Sequence, residues 1–153
     1  MKKLSALFVA AAALTALSVS TVDAGAQGHA RGRVYTKVDV GRVIARVEDQ
    51  SGAFRKAVDR QLDHSRLNGS KREDRINAEV KQYDRTVDEL RSEFSRRDSW
   101  METRGNVERV LHQAADVNRI MHDEHLGRVE NEWGNLRREL NTLADVYNLK
   151  PLR

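Results

Sequence analysis

Apolar side chains recur along two stretches of the chain at alternating spacings of four and three residues. This spacing places them along one face of an α-helix. The chain has a single proline, Pro151, and few aromatic residues, so long helices are uninterrupted before that position. The pattern therefore predicts an all-α fold. The two stretches consist of Ile76, Val80, Tyr83, Val87, Leu90 and Phe94, followed by Val129, Trp133, Leu136, Leu140, Leu143 and Tyr147.

Each apolar position of the second stretch follows its counterpart in the first by 53 residues. Carried backwards, the same offset aligns Phe54 with Val107 and Val58 with Leu111, so the unit that repeats is a whole helical hairpin. Duplication explains this offset. Independent use of a common spacing explains it too, since amphipathic helices share one period. The architecture requires only the shared spacing.

Turn and cap residues divide the chain between these stretches. Asn68-Gly69 is typical of a left-handed helix end, and Ser70 with Glu73 forms a capping box for the next helix. The apolar period lapses again around 98–106 and 122–127. The sequence thus predicts an antiparallel up-and-down four-helix bundle over 38–150, built from two tandem helical hairpins at 38–98 and 104–148, with helices at about 38–67, 71–98, 104–121 and 126–148.

The beginning of the chain has the features of a secretory signal peptide. Two lysines precede an apolar run over 4–17, and small residues lead up to Ala24. We expect residues 1–24 to be removed by cleavage after Ala24 or, almost as well, after Ala26. The mature protein would be periplasmic or secreted. It would have no transmembrane segment, because no later apolar stretch approaches the roughly 20 residues needed.

The segment 25–37 contains three glycines and little apolar content, which predicts a disordered leader. The chain has no cysteine, which excludes disulfides and thiolate metal sites. Its 27 basic and 23 acidic side chains leave a net charge of only +4. Basic and acidic residues alternate, as in Arg72-Glu73-Asp74-Arg75, whereas nucleic-acid binders gather basic residues on one face. We therefore expect no nucleic-acid partner.

One motif has metal-ligand chemistry. His122 and His125 are three residues apart and flank two carboxylates, so the two imidazoles can share a helix face. A solvated polar turn explains the same residues. No Glu-x-x-His pair for a di-iron centre, no glycine-rich phosphate loop and no Gly-x-Ser-x-Gly turn occurs. The sequence therefore predicts a protein without enzymatic activity and without a cofactor.

The unequal hairpins predict a second candidate site. The first hairpin is longer, so one end of the bundle lacks cover from the third helix. A partner or ligand patch at this end would comprise Trp100, Met101, Val40, Ile44 and Phe94. Alternatively, Trp100 and Met101 fill the open end as a plug.

The stretches Phe54–Gly69 and Trp133–Leu149 resemble a family of exported bacterial helical proteins that has no established function. The resemblance covers about residues 38–150 and implies a signal peptide followed by a helical body. It implies no activity and no functional residues. The chain departs from the family pattern at Gly127, where such sequences have a polar cap before the last helix.

Two hypotheses of function follow. The first is a non-enzymatic exported helical-bundle protein that acts through contacts with another envelope protein, in a chaperone-like or stress-related role. The second is a module that binds a small ligand or metal, through the open bundle end or the turn from His122 to His125. The sequence does not predict an oligomeric state.

Overall fold

The computed structural model describes residues 28–30, 33–124 and 126–153. Within these ranges the all-α prediction is confirmed, with four helices as the main elements. Short 3₁₀ turns precede the third and fourth helices. The predicted signal peptide at 1–24 lies outside the described residues. The elements are β1 (Gly28–Ala30), β2 (Arg33–Tyr35), α1 (Lys37–Asp63), α2 (Lys71–Arg96), α3 (Arg104–Asp123) and α4 (Glu130–Val146), with the 3₁₀ turns at Trp100–Thr103 and Gly127–Val129.

The four helices form a bundle in which neighbours along the chain lie side by side. Helix α1 packs against α2 on one side and α4 on the other, and α2 also packs against α3. The contact between α3 and α4 is much smaller. Of the four sides of the bundle, the side between α3 and α4 thus has the least direct helix-to-helix contact.

The apolar stripes form the core. Every residue of the two stripes that predicted the helices is buried, as are Phe54, Val58 and Val107. Burial of such side chains supplies the main favourable free energy of folding, about 1.5–3 kcal/mol each. One polar residue interrupts the stripe of α1: the buried Ser51 donates a hydrogen bond to Asp84 of α2 at 2.7 Å. Arg55 donates to the other carboxylate oxygen at 2.8 Å, which fixes α1 against α2.

The turn between α1 and α2 follows the predicted chemistry. Gly69 has a φ of 75°, and the hydroxyl of Ser70 accepts a hydrogen bond from the backbone N–H of Glu73 at 3.2 Å. Helix α1 nevertheless ends at Asp63, four residues before the predicted end at 67. The side chains of Ser65 and Asn68 donate to the carbonyls of Leu62 and Asp63, and such local bonds compete with helix continuation.

The last helix is shorter than predicted at both ends. It begins at Glu130 rather than 126, because Gly127–Val129 forms a 3₁₀ turn. Beyond Val146 the chain forms a Schellman motif, in which Asn148 has a φ of 52° and the N–H of Leu149 donates to the carbonyl of Ala144 at 2.8 Å. The chain therefore reverses direction and runs back along α4.

The described part of the predicted disordered leader, 25–37, contains regular structure. Strands β1 and β2 pair in antiparallel fashion, with His29 opposite Val34. Thr36 then caps α1: its hydroxyl accepts from the N–H of Asp39 at 3.2 Å, and the Asp39 carboxylate accepts from the N–H of Thr36 at 3.1 Å. Backbone pairing and capping order this segment, and neither depends on the apolar content that the prediction considered.

Replacing Gly69 by alanine should lower the free energy of unfolding by about 1–2 kcal/mol, because a side chain is disfavoured at this left-handed position. The matched control is Gly52→Ala inside α1, where an added Cβ meets no atom within 4 Å. That variant should gain about 0.5–1 kcal/mol, since alanine is the better helix former. Urea unfolding followed by circular dichroism measures both. A loss of stability in both variants, or in neither, would contradict this assignment.

Candidate functional site: the groove between α3 and α4

The patch predicted at the end of the first hairpin is mostly inside the protein. Trp100, Val40, Ile44 and Phe94 are all buried, and Met101 alone of the five has a large exposed fraction, 42%. The indole of Trp100 meets the ring of Tyr147 edge-on, with centroids 5.0 Å apart. Trp100 thus covers the core at this end of the bundle, and Phe94 lines an open pocket of about 440 Å³ together with Val38 and Gly41 of α1.

A buried polar cluster holds Trp100 in place. The hydroxyl of Thr103 lies 2.7 Å from the carbonyl oxygen of Trp100 and 2.8 Å from the hydroxyl of Tyr147. The Tyr147 hydroxyl is in turn 3.1 Å from that same carbonyl oxygen. Burial raises the pKa of Tyr147 to about 12, against the smaller opposing effect of the hydrogen bond with Thr103. The cluster joins the start of α3 to the end of α4.

Of the predicted histidine pair, His122 lies at the end of α3, and His125 lies outside the described residues. The side chain of His122 is 90% exposed, and its Nδ1 lies 3.4 Å from the carboxylate of the adjacent Asp123. The carboxylate of Glu124 pairs with Arg72 of α2 at 2.6 Å. Within the described ranges, no group of three or more His, Asp or Glu side chains is placed to hold a metal ion. Metal binding by His122 and His125 stays a prediction.

The open side of the bundle is a groove between α3 and α4, and the residues after α4 occupy part of it. The side-chain amide of Asn141 on α4 accepts a hydrogen bond from the N–H of Leu152 at 2.7 Å and donates to its carbonyl oxygen at 3.4 Å. Asn118 on α3 donates to the main-chain oxygen of Arg153 at 3.2 Å. The side chain of Leu152 packs against the core. The segment after α4 therefore lies between part of α3 and part of α4.

Asn118 also orients the indole that forms the floor of the groove. Its Oδ1 accepts a hydrogen bond from Nε1 of Trp133 at 2.9 Å. On its other side, the ring of Trp133 packs against Phe54 of α1, with centroids 5.2 Å apart and planes tilted by 48°. Trp133 is thus fixed by contacts to α1 and α3.

Past Asn118 the groove widens into an open pocket of about 390 Å³. Met121 and Trp133 supply its apolar floor, and none of residues 149–153 lines it. Gly134 lies in the middle of α4, where glycine costs about 1 kcal/mol relative to alanine, although an added Cβ would meet no atom within 4 Å. The backbone of α4 is therefore accessible from the pocket. Its lining residues are Asn118, Met121, His122, Glu130, Trp133, Gly134 and Arg137.

The sequence analysis missed this groove and its residues. It placed Trp133 in the apolar stripe of a helix, which describes one face of the ring, and it considered Pro151 only as an interruption of helices. Two signals were present: Asn118 and Asn141 each follow a buried apolar residue within a helix, and asparagine is a poor helix former there. Gly134 is a third signal, because glycine is unfavourable in a helix interior.

The described residues thus form a helical bundle whose α3–α4 groove holds the segment that follows α4. Comparison with known proteins found no matching protein-family model, no matching curated protein and no matching solved structure. In the part of the chain that the structure describes, no helix is both long and apolar enough to cross a membrane.

Replacing Tyr147 by phenylalanine tests the buried cluster. At pH 7 the variant should lose about 1 kcal/mol, the usual contribution of a buried hydrogen bond. The native pKa of about 12 exceeds the ordinary value near 10, so the unfolded chain loses the phenolic proton first as the pH rises. Stability that is fully present below pH 10 should therefore fall between pH 10 and 12 in the wild type.

Urea unfolding at pH 8 and pH 11 measures this difference. The loss of stability between the two pH values should be smaller in Tyr147→Phe than in the wild type, and it should not vanish. Burial also raises the pKa of Tyr83, which is present in both proteins. Equal losses in the two proteins would contradict a buried, protonated Tyr147.

Proposed function

We propose that this chain is a non-enzymatic helical-bundle protein of the cell envelope or the medium, and that it acts through protein contacts made in the α3–α4 groove. The proposal rests on the contacts by which the groove holds residues 149–153. Both asparagines that contact this segment bond its main chain, and its two leucines, Leu149 and Leu152, pack against the core.

This mode suits an extended peptide. Every residue except proline offers one N–H and one carbonyl oxygen, and an asparagine side chain offers the complementary acceptor and donor. Asn141 uses both with Leu152. Main-chain bonds of this kind supply affinity for extended polypeptide of many sequences, while side-chain pockets select among them. The pocket over Met121 and Trp133 is such a selecting site, and its apolar floor favours an apolar side chain.

The rim of the pocket carries charges of both signs. Glu130 and Arg137 of α4 are exposed and line it, as does the exposed His122. A rim of mixed charge does not favour a strongly acidic or strongly basic partner. We therefore infer a partner with an extended, largely apolar segment, such as an unfolded stretch or a loop of another protein. This agrees with the chaperone-like role proposed from the sequence.

The peptide-binding proposal can be tested with a phage-displayed library of random decapeptides. Immobilised wild-type protein should enrich peptides that contain apolar residues. The matched control is Gly134→Leu, whose side chain would fill the pocket. Leucine raises helix propensity by up to about 1 kcal/mol, so the control should be at least as stable as the wild type. The same enrichment on both proteins, or none on either, would contradict binding in this pocket.

Export is the second part of the proposal and rests on residues 1–24. Expressed with these residues in a Gram-negative host, the protein should be recovered from the periplasm or the medium. Its intact mass should correspond to a chain beginning at Gly25 or Gln27, because small residues precede both cleavage positions. Leu14→Arg places a charge in the apolar run and should leave uncleaved protein in the cytoplasm. Cytoplasmic, uncleaved wild-type protein would contradict export.

A further inference from the structure

The groove contains both a bound segment and an open pocket, and this suggests how access to it is controlled. We propose that residues 150–153 act as an intramolecular competitor, which an extended peptide partner must displace to bind between α3 and α4. This inference rests on the proposed function, since it concerns the same groove.

The competing segment is attached at few points. Three hydrogen bonds hold it, two between Asn141 and Leu152 and one from Asn118 to Arg153. Leu152 is half-buried, whereas the side chains of the other three residues are exposed. Pro151 has no N–H to donate. The segment therefore resembles a short bound peptide more than a part of the core.

Release of this segment leaves the last helix intact. The end of α4 is fixed by its own backbone bonds: the N–H of Asn148 donates to Asp145 at 3.1 Å, and that of Leu149 donates to Ala144 at 2.8 Å. Neither bond involves the groove. A change of backbone angles after Leu149 would move residues 150–153 out of the groove while the Schellman motif stays in place.

An external peptide can contact side chains that residues 149–153 do not contact. Residues 149–153 run from Asn141 towards Asn118, and Asn118 also lines the open pocket. A peptide that follows this path with apolar side chains over Met121 and Trp133 would bury those side chains in the pocket, and this burial favours its binding.

Tethering gives the segment an advantage of its own. A short flexible connection holds it near the groove at an effective concentration in the millimolar range. The apparent affinity for an external peptide equals the intrinsic affinity multiplied by the fraction of time that the groove is free. If the segment is bound nine-tenths of the time, its release should raise the apparent affinity about 10-fold.

The test measures binding of a fluorescein-labelled peptide, Leu-Lys-Pro-Leu-Arg-Leu-Leu, which copies residues 149–153 and extends them into the pocket. Fluorescence polarisation gives its dissociation constant for the full chain and for Leu152→Asp. The variant places a charge on the segment and leaves the groove residues unchanged, so it should bind about 10-fold more tightly. Leu152→Ala should give a smaller gain. Gly134→Leu should abolish binding in either background.

Each outcome decides between the two proposals. Equal affinity of the wild type, Leu152→Asp and Leu152→Ala, with loss in Gly134→Leu, would leave the peptide groove and overturn the competitor. Absence of binding in all variants would overturn the proposed peptide groove as well. A wild-type dimer that dissociates in Leu152→Asp, measured by analytical ultracentrifugation, would identify a second copy of the segment as the occupant and overturn the intramolecular arrangement. If Leu152→Asp fails to fold by circular dichroism, Leu152→Ala alone decides.

Discussion

The open side of the bundle depends on the position of one side chain, Trp133. Its ring packs against Phe54, which attaches α4 to α1, and its Nε1 donates to Asn118, which sets the distance to α3. The amide of Asn118 then has a free donor, and this donor contacts Arg153. The indole thus meets both a buried ring of α1 and a half-buried amide of α3. The floor of the groove is therefore also part of the core.

The two ends of the bundle are held by different contacts, and the helices have unequal lengths. Helices α1 and α2 have 27 and 26 residues, whereas α3 and α4 have 20 and 17. At the end where the long helices project, Trp100 fills the space and packs on Tyr147. At the other end, the ion pair between Arg72 and Glu124 links α2 to the residues after α3. The excess length predicted from the sequence thus leads to a filled end, and the accessible site lies on the side.

The sequence predicted the helices well and the groove poorly, for one physical reason. Burial of an apolar stripe depends on spacing along the chain, and the spacing of Ile76, Val80 and Tyr83 is a property of the sequence itself. Helix ends depend on local hydrogen bonds that compete with the helix, as those of Ser65 and Asn68 do, and these shift boundaries by a few residues. The roles of Asn118 and Asn141 depend on main-chain groups of a segment that packs only after the bundle has formed. An asparagine within a helix marks an unusual position, but it does not identify the main-chain groups that it will bond.

The groove lies where a change of occupant disturbs the fold least. Helix α4 is held from its other side by α1, through the core and the ion pair of Arg46 with Glu139 at 2.8 Å. Helix α3 is held by α2, with Arg109 and Glu89 paired at 3.4 Å on the surface. Such exposed pairs contribute about 1 kcal/mol or less, so apolar packing carries most of both attachments. Since neither attachment involves residues 150–153, displacement of this segment would leave α4 packed on α1 and α3 packed on α2.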